Sequence, residues 1–186
     1  MALLAESLVD EWLNRQGFFT VRGIRHGHDE IDLLGVRPTN EGLEAWHVEV
    51  QASFRPMGYI APVTDTIAKR FPVPPKSAKK RPQEILEDCA KAWVLSKFAR
   101  ESKQKIRDKA WPNLKWRFFL VHARSRWPAE LEAIGNSGVE LIPLFRVLEE
   151  LRHDSARGIR GGAATDLSEI IEYFARHTIE HPAGEA

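Results

Sequence analysis

Apolar residues near the start of the chain recur at helical spacing, and charged residues occupy the positions between them. This pattern predicts an amphipathic helix over residues 2–15. The same periodicity predicts further helices at 65–70, 82–100, 130–134, 145–152 and 166–178.

Strands are predicted where β-prone residues cluster or alternate with polar ones, at 18–22, 30–36, 44–51, 115–122 and 138–144. Residues 37–42 are rich in turn formers, so 30–36 and 44–51 should form a hairpin. Segment 115–122 is apolar on nearly both faces, which is typical of a central strand covered by helices on two sides. Strands interspersed with helices predict an α/β protein.

The segment 52–82 contains six prolines and several basic residues, so we expect an irregular basic loop with one short helix. Long loops of this kind in compact domains are usually functional or disordered. A length of 186 residues favours one domain, which we place at 1–156. A glycine-bearing linker at 157–165 would then precede the helix at 166–178.

Composition narrows the class of protein. With 43% hydrophobic and 28% charged residues, the chain has the content of an ordinary globular protein. We expect a cytoplasmic location and no membrane partner, because no apolar run of about 18 residues and no secretory signal pattern occurs. Cys89 is the single cysteine, which excludes an internal disulfide and a cysteine-cluster zinc site.

The net charge of +1 hides an uneven distribution. Residues 69–109 hold 13 Lys and Arg against 5 Asp and Glu, so the rest of the chain is acidic. Such asymmetry suggests an anionic partner, of which nucleic acid is the commonest. A solvated helix surface is the alternative explanation.

The hairpin brings two carboxylates together. If its turn is symmetric about the middle, Val36 faces Ala45 and Asp32 faces Glu49. Opposed side chains have Cβ atoms about 4.5 to 5.5 Å apart, so two carboxylates would repel unless a cation lay between them. Oxygen ligands of this kind suit Mg²⁺ or Mn²⁺. The alternative is that both residues belong to the solvent face of an amphipathic hairpin.

Neighbouring residues of the hairpin have simpler expected roles. Ile31, Leu33, Val48 and Val50 alternate onto the opposite face and should anchor the hairpin in the core. His47 shares the face of Glu49, and we assign it a surface or packing role.

The order of a helical Glu6, a strand Asp32 and then Glu49-Val50-Gln51 resembles the PD-(D/E)xK nuclease superfamily, over roughly residues 2–123. The resemblance implies an α/β restriction-endonuclease-like core, with a central mixed sheet of four to five strands flanked by helices. It implies that Asp32, Glu49 and the Val50 carbonyl hold Mg²⁺ or Mn²⁺. Glu6 would assist through water, and Gln51 occupies the position of the motif Lys, which positions or activates the attacking water.

Two residues depart from the motif. Ile31 stands in the place of the motif proline, and Gln51 brings hydrogen bonds but no positive charge. Lys91 or Arg22 could supply the missing cation. Otherwise the site would be catalytically silent, and the sequence leaves both alternatives open.

The function implied by the resemblance is metal-dependent endonucleolytic hydrolysis of DNA, rather than RNA, in phage defence, restriction or repair. Phosphate contacts are expected from Lys76, Lys79, Lys80 and Arg81, and a homodimer is one assembly that the resemblance allows. In the same loop, Phe54, Tyr59 and Phe71 could stack on bases. The alternatives are an inactive nuclease-fold module that binds nucleic acid or a protein partner, and an α/β protein with no nucleic-acid role.

Overall fold

The computed structural model describes residues 2–52, 58–71 and 79–153. The predicted linker at 157–165, the predicted helix at 166–178, Lys76 and Phe54 lie outside these residues.

The described chain contains six α-helices, five strands and one π-helical turn. In chain order they are α1 (Ala2–Arg15), β1 (Phe19–His26), β2 (Asp29–Thr39), β3 (Gly42–Gln51), α2 (Asp65–Arg70), α3 (Gln83–Val94), the π-helical turn (Leu95–Ala99), α4 (Glu101–Ala110), β4 (Trp116–His122), α5 (Pro128–Asn136), β5 (Glu140–Pro143) and α6 (Leu144–His153).

The five strands form one mixed sheet in the order β1-β2-β3-β4-β5. The first three strands are antiparallel neighbours, whereas β3, β4 and β5 run parallel to one another. Gly27 and Gly42 occupy the two hairpin turns with φ of +63° and +126°, a backbone region that favours glycine. The predicted α/β class with a mixed sheet flanked by helices is confirmed.

Apolar side chains cover both faces of the sheet. On one face, α1 and α6 pack against Leu33, Val48, Phe119 and Val121. On the other face, Leu120 packs among residues of α2, α3 and α5. The prediction that β4 is apolar on both sides because helices cover both sides is therefore confirmed.

Several predicted boundaries differ from the structure. β1 continues to His26 through residues predicted to be a polar link, because they pair with β2. The link between β2 and β3 shrinks to two residues, since Pro38 and Thr39 still pair across the hairpin. The helix from residue 83 changes to a π-helical turn at Leu95, and α4 then extends to Ala110.

Ile31 was predicted to share a face with Leu33, and this prediction is wrong. Pairing between β2 and β3 ends at Leu33 and Val48, while β2 continues against β1 as far as Asp29. Beyond that point Ile31 joins a small core cluster with Leu34 and Ile106 of α4. The period-two alternation fails here because β3 no longer fixes the orientation of β2.

Candidate functional site

Glu49 lies on β3 and is completely buried, at 0% exposure. Its carboxylate accepts hydrogen bonds from Lys97 Nζ at 2.6 Å, Lys103 Nζ at 3.3 Å and His47 Nε2 at 3.3 Å. Burial alone would raise the pKa of Glu49, but the His47 hydrogen bond and the two lysine charges outweigh it and lower the pKa. Glu49 is therefore a buried carboxylate that keeps its negative charge.

Asp32 lies beside Glu49 with its own distinct partner. The predicted hairpin register is confirmed, because Leu33 pairs with Val48 and Val36 with Ala45. The Asp32 Oδ2 atom accepts the Val50 backbone N–H at 2.8 Å. Burial and then the charge of Glu49 raise the pKa of Asp32 to about 6. The two carboxylates therefore repel each other, as their opposed positions predicted.

Glu6 approaches this pair from α1. Its side chain is half-buried, and burial followed by the charge of Glu30 raises its pKa. The charge of Glu49 contributes in the same direction, and Glu6 in turn contributes to the raised pKa of Asp32. The structure therefore brings Glu6, Asp32 and Glu49 into electrostatic range of one another.

Gln51 is the last residue of β3 and is half-buried. It shares the sheet face of Glu49, because side chains two residues apart point the same way. In the parallel pair of β3 and β4 its register partner is His122, and its carbonyl accepts the Ala123 N–H at 3.1 Å. Sequence reasoning missed His122, since the pairing of β3 with β4 joins segments far apart in the chain.

His47 and Arg107 form a second layer behind Glu49. Arg107 donates from one guanidinium nitrogen to His47 Nδ1 at 3.0 Å and to the Phe98 carbonyl at 2.8 Å. Since Arg can only donate, His47 Nδ1 is the acceptor and Nε2–H donates to Glu49. Burial lowers the pKa of His47 to about 4, so the ring is neutral near pH 7.

The cations beside Glu49 are not those the sequence suggested. Lys97 comes from the π-helical turn and Lys103 from α4, whereas Lys91 is exposed on α3 and forms no ion pair with Glu49. Arg22 is exposed on β1, where it donates to Ser7 and lies 3.5 Å from Asp10. Burial lowers the pKa of Lys97, but the charge of Glu49 outweighs burial and raises it, so Lys97 remains charged.

The oxygen donors fit a divalent cation that keeps much of its water. Within residues 2–52, 58–71 and 79–153, no group of three or more His, Cys, Asp or Glu side chains is placed to hold a metal ion. Mg²⁺ commonly binds through one or two carboxylates together with waters and substrate phosphates. Asp32, Glu49 and the Val50 carbonyl suit that mode, and the raised pKa of Asp32 shows that the pair lacks sufficient positive charge.

Arg81 differs from its predicted role as a phosphate contact. It is 4% exposed, its guanidinium donates to the Ala61 carbonyl at 2.7 Å, and it lies 3.6 Å from the centre of the Tyr59 ring. A buried guanidinium held in this way stabilises the loop rather than facing solvent. Lys79 and Lys80 are exposed, as a phosphate contact requires.

The basic stretch 69–109 does not form one basic face in the described structure. Several of its cations are paired inside the protein or along its surface: Arg70 with Glu84 and Asp88, Lys97 and Lys103 with Glu49, Lys105 with Glu101, and Arg107 with His47. The local excess of positive charge therefore overstated the surface that a polyanion could use.

Comparisons with known proteins add one structural likeness. No protein-family model and no curated protein matches the sequence. The fold is similar to a crystal structure described as protein of unknown function AF1548, with a TM-score of 0.47 and 13% identity. The alignment covers 92% of this chain and 79% of that one.

The class that the fold itself defines is an α/β protein with a five-stranded mixed sheet flanked by helices. In the described residues, no helix combines the length and apolar character needed to cross a membrane.

Proposed function

We propose that this protein is a metal-dependent nuclease that hydrolyses phosphodiester bonds of DNA. The observation that carries the proposal is the meeting of Glu6, Asp32 and Glu49 at one end of β3, with the pKa of Asp32 raised to about 6. Structural ion pairs seldom place carboxylates where they repel, whereas sites that hold a cation do so regularly.

Asp32, Glu49 and the Val50 carbonyl would hold Mg²⁺ or Mn²⁺, which when bound acidifies water and neutralises charge on the phosphate. Above pH 6 the Asp32 carboxylate is ionised and able to bind a cation. His47 holds Glu49 in one orientation through its Nε2–H. Glu6 would accept a proton through water, and the Gln51 amide would orient the water or the phosphate by hydrogen bonds.

Lys97 supplies the positive charge that Gln51 lacks. Its ammonium lies 2.6 Å from Glu49 Oε2 and its side chain is 29% exposed, so it reaches the carboxylate from the solvent side. Short π-helical turns within helices occur frequently at functional sites, and this turn is what directs Lys97 toward β3. Lys97 therefore replaces Lys91 and Arg22 as the cation proposed for the attacking water or the phosphate.

The test is nicking of supercoiled plasmid by the purified protein in Mg²⁺ or Mn²⁺. We expect wild type to nick, and Asp32→Asn and Glu49→Gln to lose about 10²-fold or more of that activity. Gln51→Ala should lose about 10²- to 10³-fold, the loss typical of one positioned donor. Glu41→Gln, in the exposed hairpin turn, is the matched control and should retain full activity. Wild-type activity in either Asp32→Asn or Glu49→Gln would contradict the assignment.

A catalytically silent nuclease-fold module is the second candidate. It is favoured by the completeness of the Glu49 environment, since two lysines and one histidine already satisfy this fully buried carboxylate. In that case wild type would not nick plasmid. If the site still bound metal, Gln51→Lys would create cleavage by restoring a charge beside the water. Absence of metal binding by calorimetry would leave a binding module or an unrelated α/β function.

A further inference from the structure

The loop at 123–127, between β4 and α5, begins at the candidate site. Its first residue, Ala123, donates to the Gln51 carbonyl at 3.1 Å. Because β3 and β4 are parallel, their carboxyl ends meet at the same edge of the sheet, where ligands of open α/β sheets commonly bind. Whatever approaches Gln51 along this edge therefore meets the 123–127 loop.

Tyr59 joins this loop to the basic segment around residue 80. Its ring stacks on Trp127 with centroids 5.4 Å apart and planes 9° apart. Its hydroxyl donates to the Lys79 carbonyl at 3.0 Å and accepts the Arg81 N–H at 2.8 Å. Two loops from distant parts of the chain are thereby held side by side.

The joined loops expose four basic side chains. Lys79, Lys80, Arg124 and Arg126 are all exposed, and Arg126 lies 5.5 Å from the centre of the Trp127 ring. Arg124 and Arg126 form no ion pair with any residue that the structure describes. They differ in this respect from Lys97 and Lys103, whose charges are matched by Glu49.

We propose that Lys79, Lys80, Arg124 and Arg126 form a basic strip that binds the phosphate backbone of duplex DNA and leads it to the carboxylate site. The inference rests on the proposed function and names the surface on which its substrate lies. Tyr59 holds the two loops through contacts with both Arg81 and Trp127, so it is committed to structure rather than to base stacking. Contacts of this strip are therefore to phosphates and independent of sequence.

The test compares two double variants that remove the same charge. Arg124→Gln with Arg126→Gln alters the strip. Lys109→Gln with Lys115→Gln alters exposed lysines on α4 and at the amino end of β4, away from the strip. Binding of a fluorescein-labelled DNA duplex is measured in EDTA over a range of salt concentrations. Circular dichroism and thermal unfolding establish that each double variant is folded.

The expected result is a weaker salt dependence in the arginine double variant alone. Each phosphate contact contributes a slope of about 0.9 in log affinity against log salt, so the slope should fall by roughly 1.8. The lysine double variant should keep the wild-type slope. An equal change in both variants, a change in the lysine variant alone, or no DNA binding by wild type at low salt would overturn the strip.

The same preparations separate the strip from the proposed hydrolysis. DNA binding that depends on Arg124 and Arg126, without plasmid nicking in Mg²⁺ or Mn²⁺, would support the strip and contradict the nuclease activity. Nicking by wild type with an unchanged salt slope in the arginine double variant would support the activity and overturn the strip.

Discussion

Asp32 and His47 flank Glu49 in the same buried site, yet they respond to pH in opposite ways. The folded protein keeps the Asp32 proton up to about pH 6, whereas an unfolded chain releases it near 3.8, so this group lowers stability as pH rises between those values. The folded protein protonates His47 only near pH 4, whereas the unfolded chain does so near 6.5. His47 therefore lowers stability as pH falls through that window, and the two effects offset each other.

Substituting either residue should reveal the contribution of the other. In Asp32→Asn, the free energy of unfolding should rise by about 2 to 3 kcal/mol from pH 4 to 6.5, because only His47 then titrates in that range. In His47→Gln, it should instead fall by a similar amount from pH 4 to 6, while the amide still donates to Glu49. Urea unfolding at several pH values measures both slopes.

Asp108→Asn, on the exposed side of α4, is the control and should follow the wild-type profile. Parallel profiles for Asp32→Asn and His47→Gln would show that the two side chains are not opposed in this way.

At the scale of elements, one buried carboxylate fastens an irregular loop to a helix. Glu130 on α5 is 1% exposed and accepts the backbone N–H groups of Ile60 and Ala61 at 2.9 and 2.8 Å. Burial raises the pKa of Glu130, and these two hydrogen bonds act against that rise. The loop carries Tyr59, so this attachment also holds the basic strip in place.

Glu130→Gln should loosen this loop. Its amide can accept with one oxygen, but its NH₂ group would face a second backbone N–H, so we expect a cost of about 1 to 3 kcal/mol. Hydrogen exchange at the Ile60 and Ala61 amides should accelerate more than exchange in β4. Glu132→Gln, exposed on the same helix, should leave both amides protected. Equal exchange in the two variants would contradict the anchoring role.

At the scale of the whole molecule, stability is concentrated in the centre of the sheet. Phe119 on β4 is 3% exposed and stacks on Trp46 with ring centroids 3.8 Å apart. Phe19 on the edge strand β1 is 71% exposed. The same residue type thus occupies the most and the least packed parts of one sheet.

Phe119→Ala should cost about 3 to 5 kcal/mol of unfolding free energy, because it removes a buried ring and leaves a cavity. Phe19→Ala should change stability by no more than about 0.5 kcal/mol. Denaturant unfolding of both variants under one set of conditions measures the difference. A large loss in Phe19→Ala would indicate that the edge of the sheet is covered by something else.

The sequence alone determined the features that depend on near neighbours. Hydrophobic period predicted α1, α2 and β4 closely, and the symmetry of the hairpin predicted the register that sets Asp32 beside Glu49. The shared face of His47 and Glu49 followed from the same two-residue period. These predictions succeeded because helix and hairpin geometry relate residues only a few positions apart, or across one short turn.

Only the tertiary structure decided which cations meet which carboxylates. Lys97 reaches Glu49 across 48 positions of sequence, and Arg107 reaches His47 across 60. Arg81 was predicted on the surface, but it is buried because its guanidinium finds the Ala61 carbonyl and the Tyr59 ring. A lysine or arginine has the same sequence signature whether it is solvated or paired inside the protein. Its role is fixed by the packing of helices on the sheet, which no local pattern records.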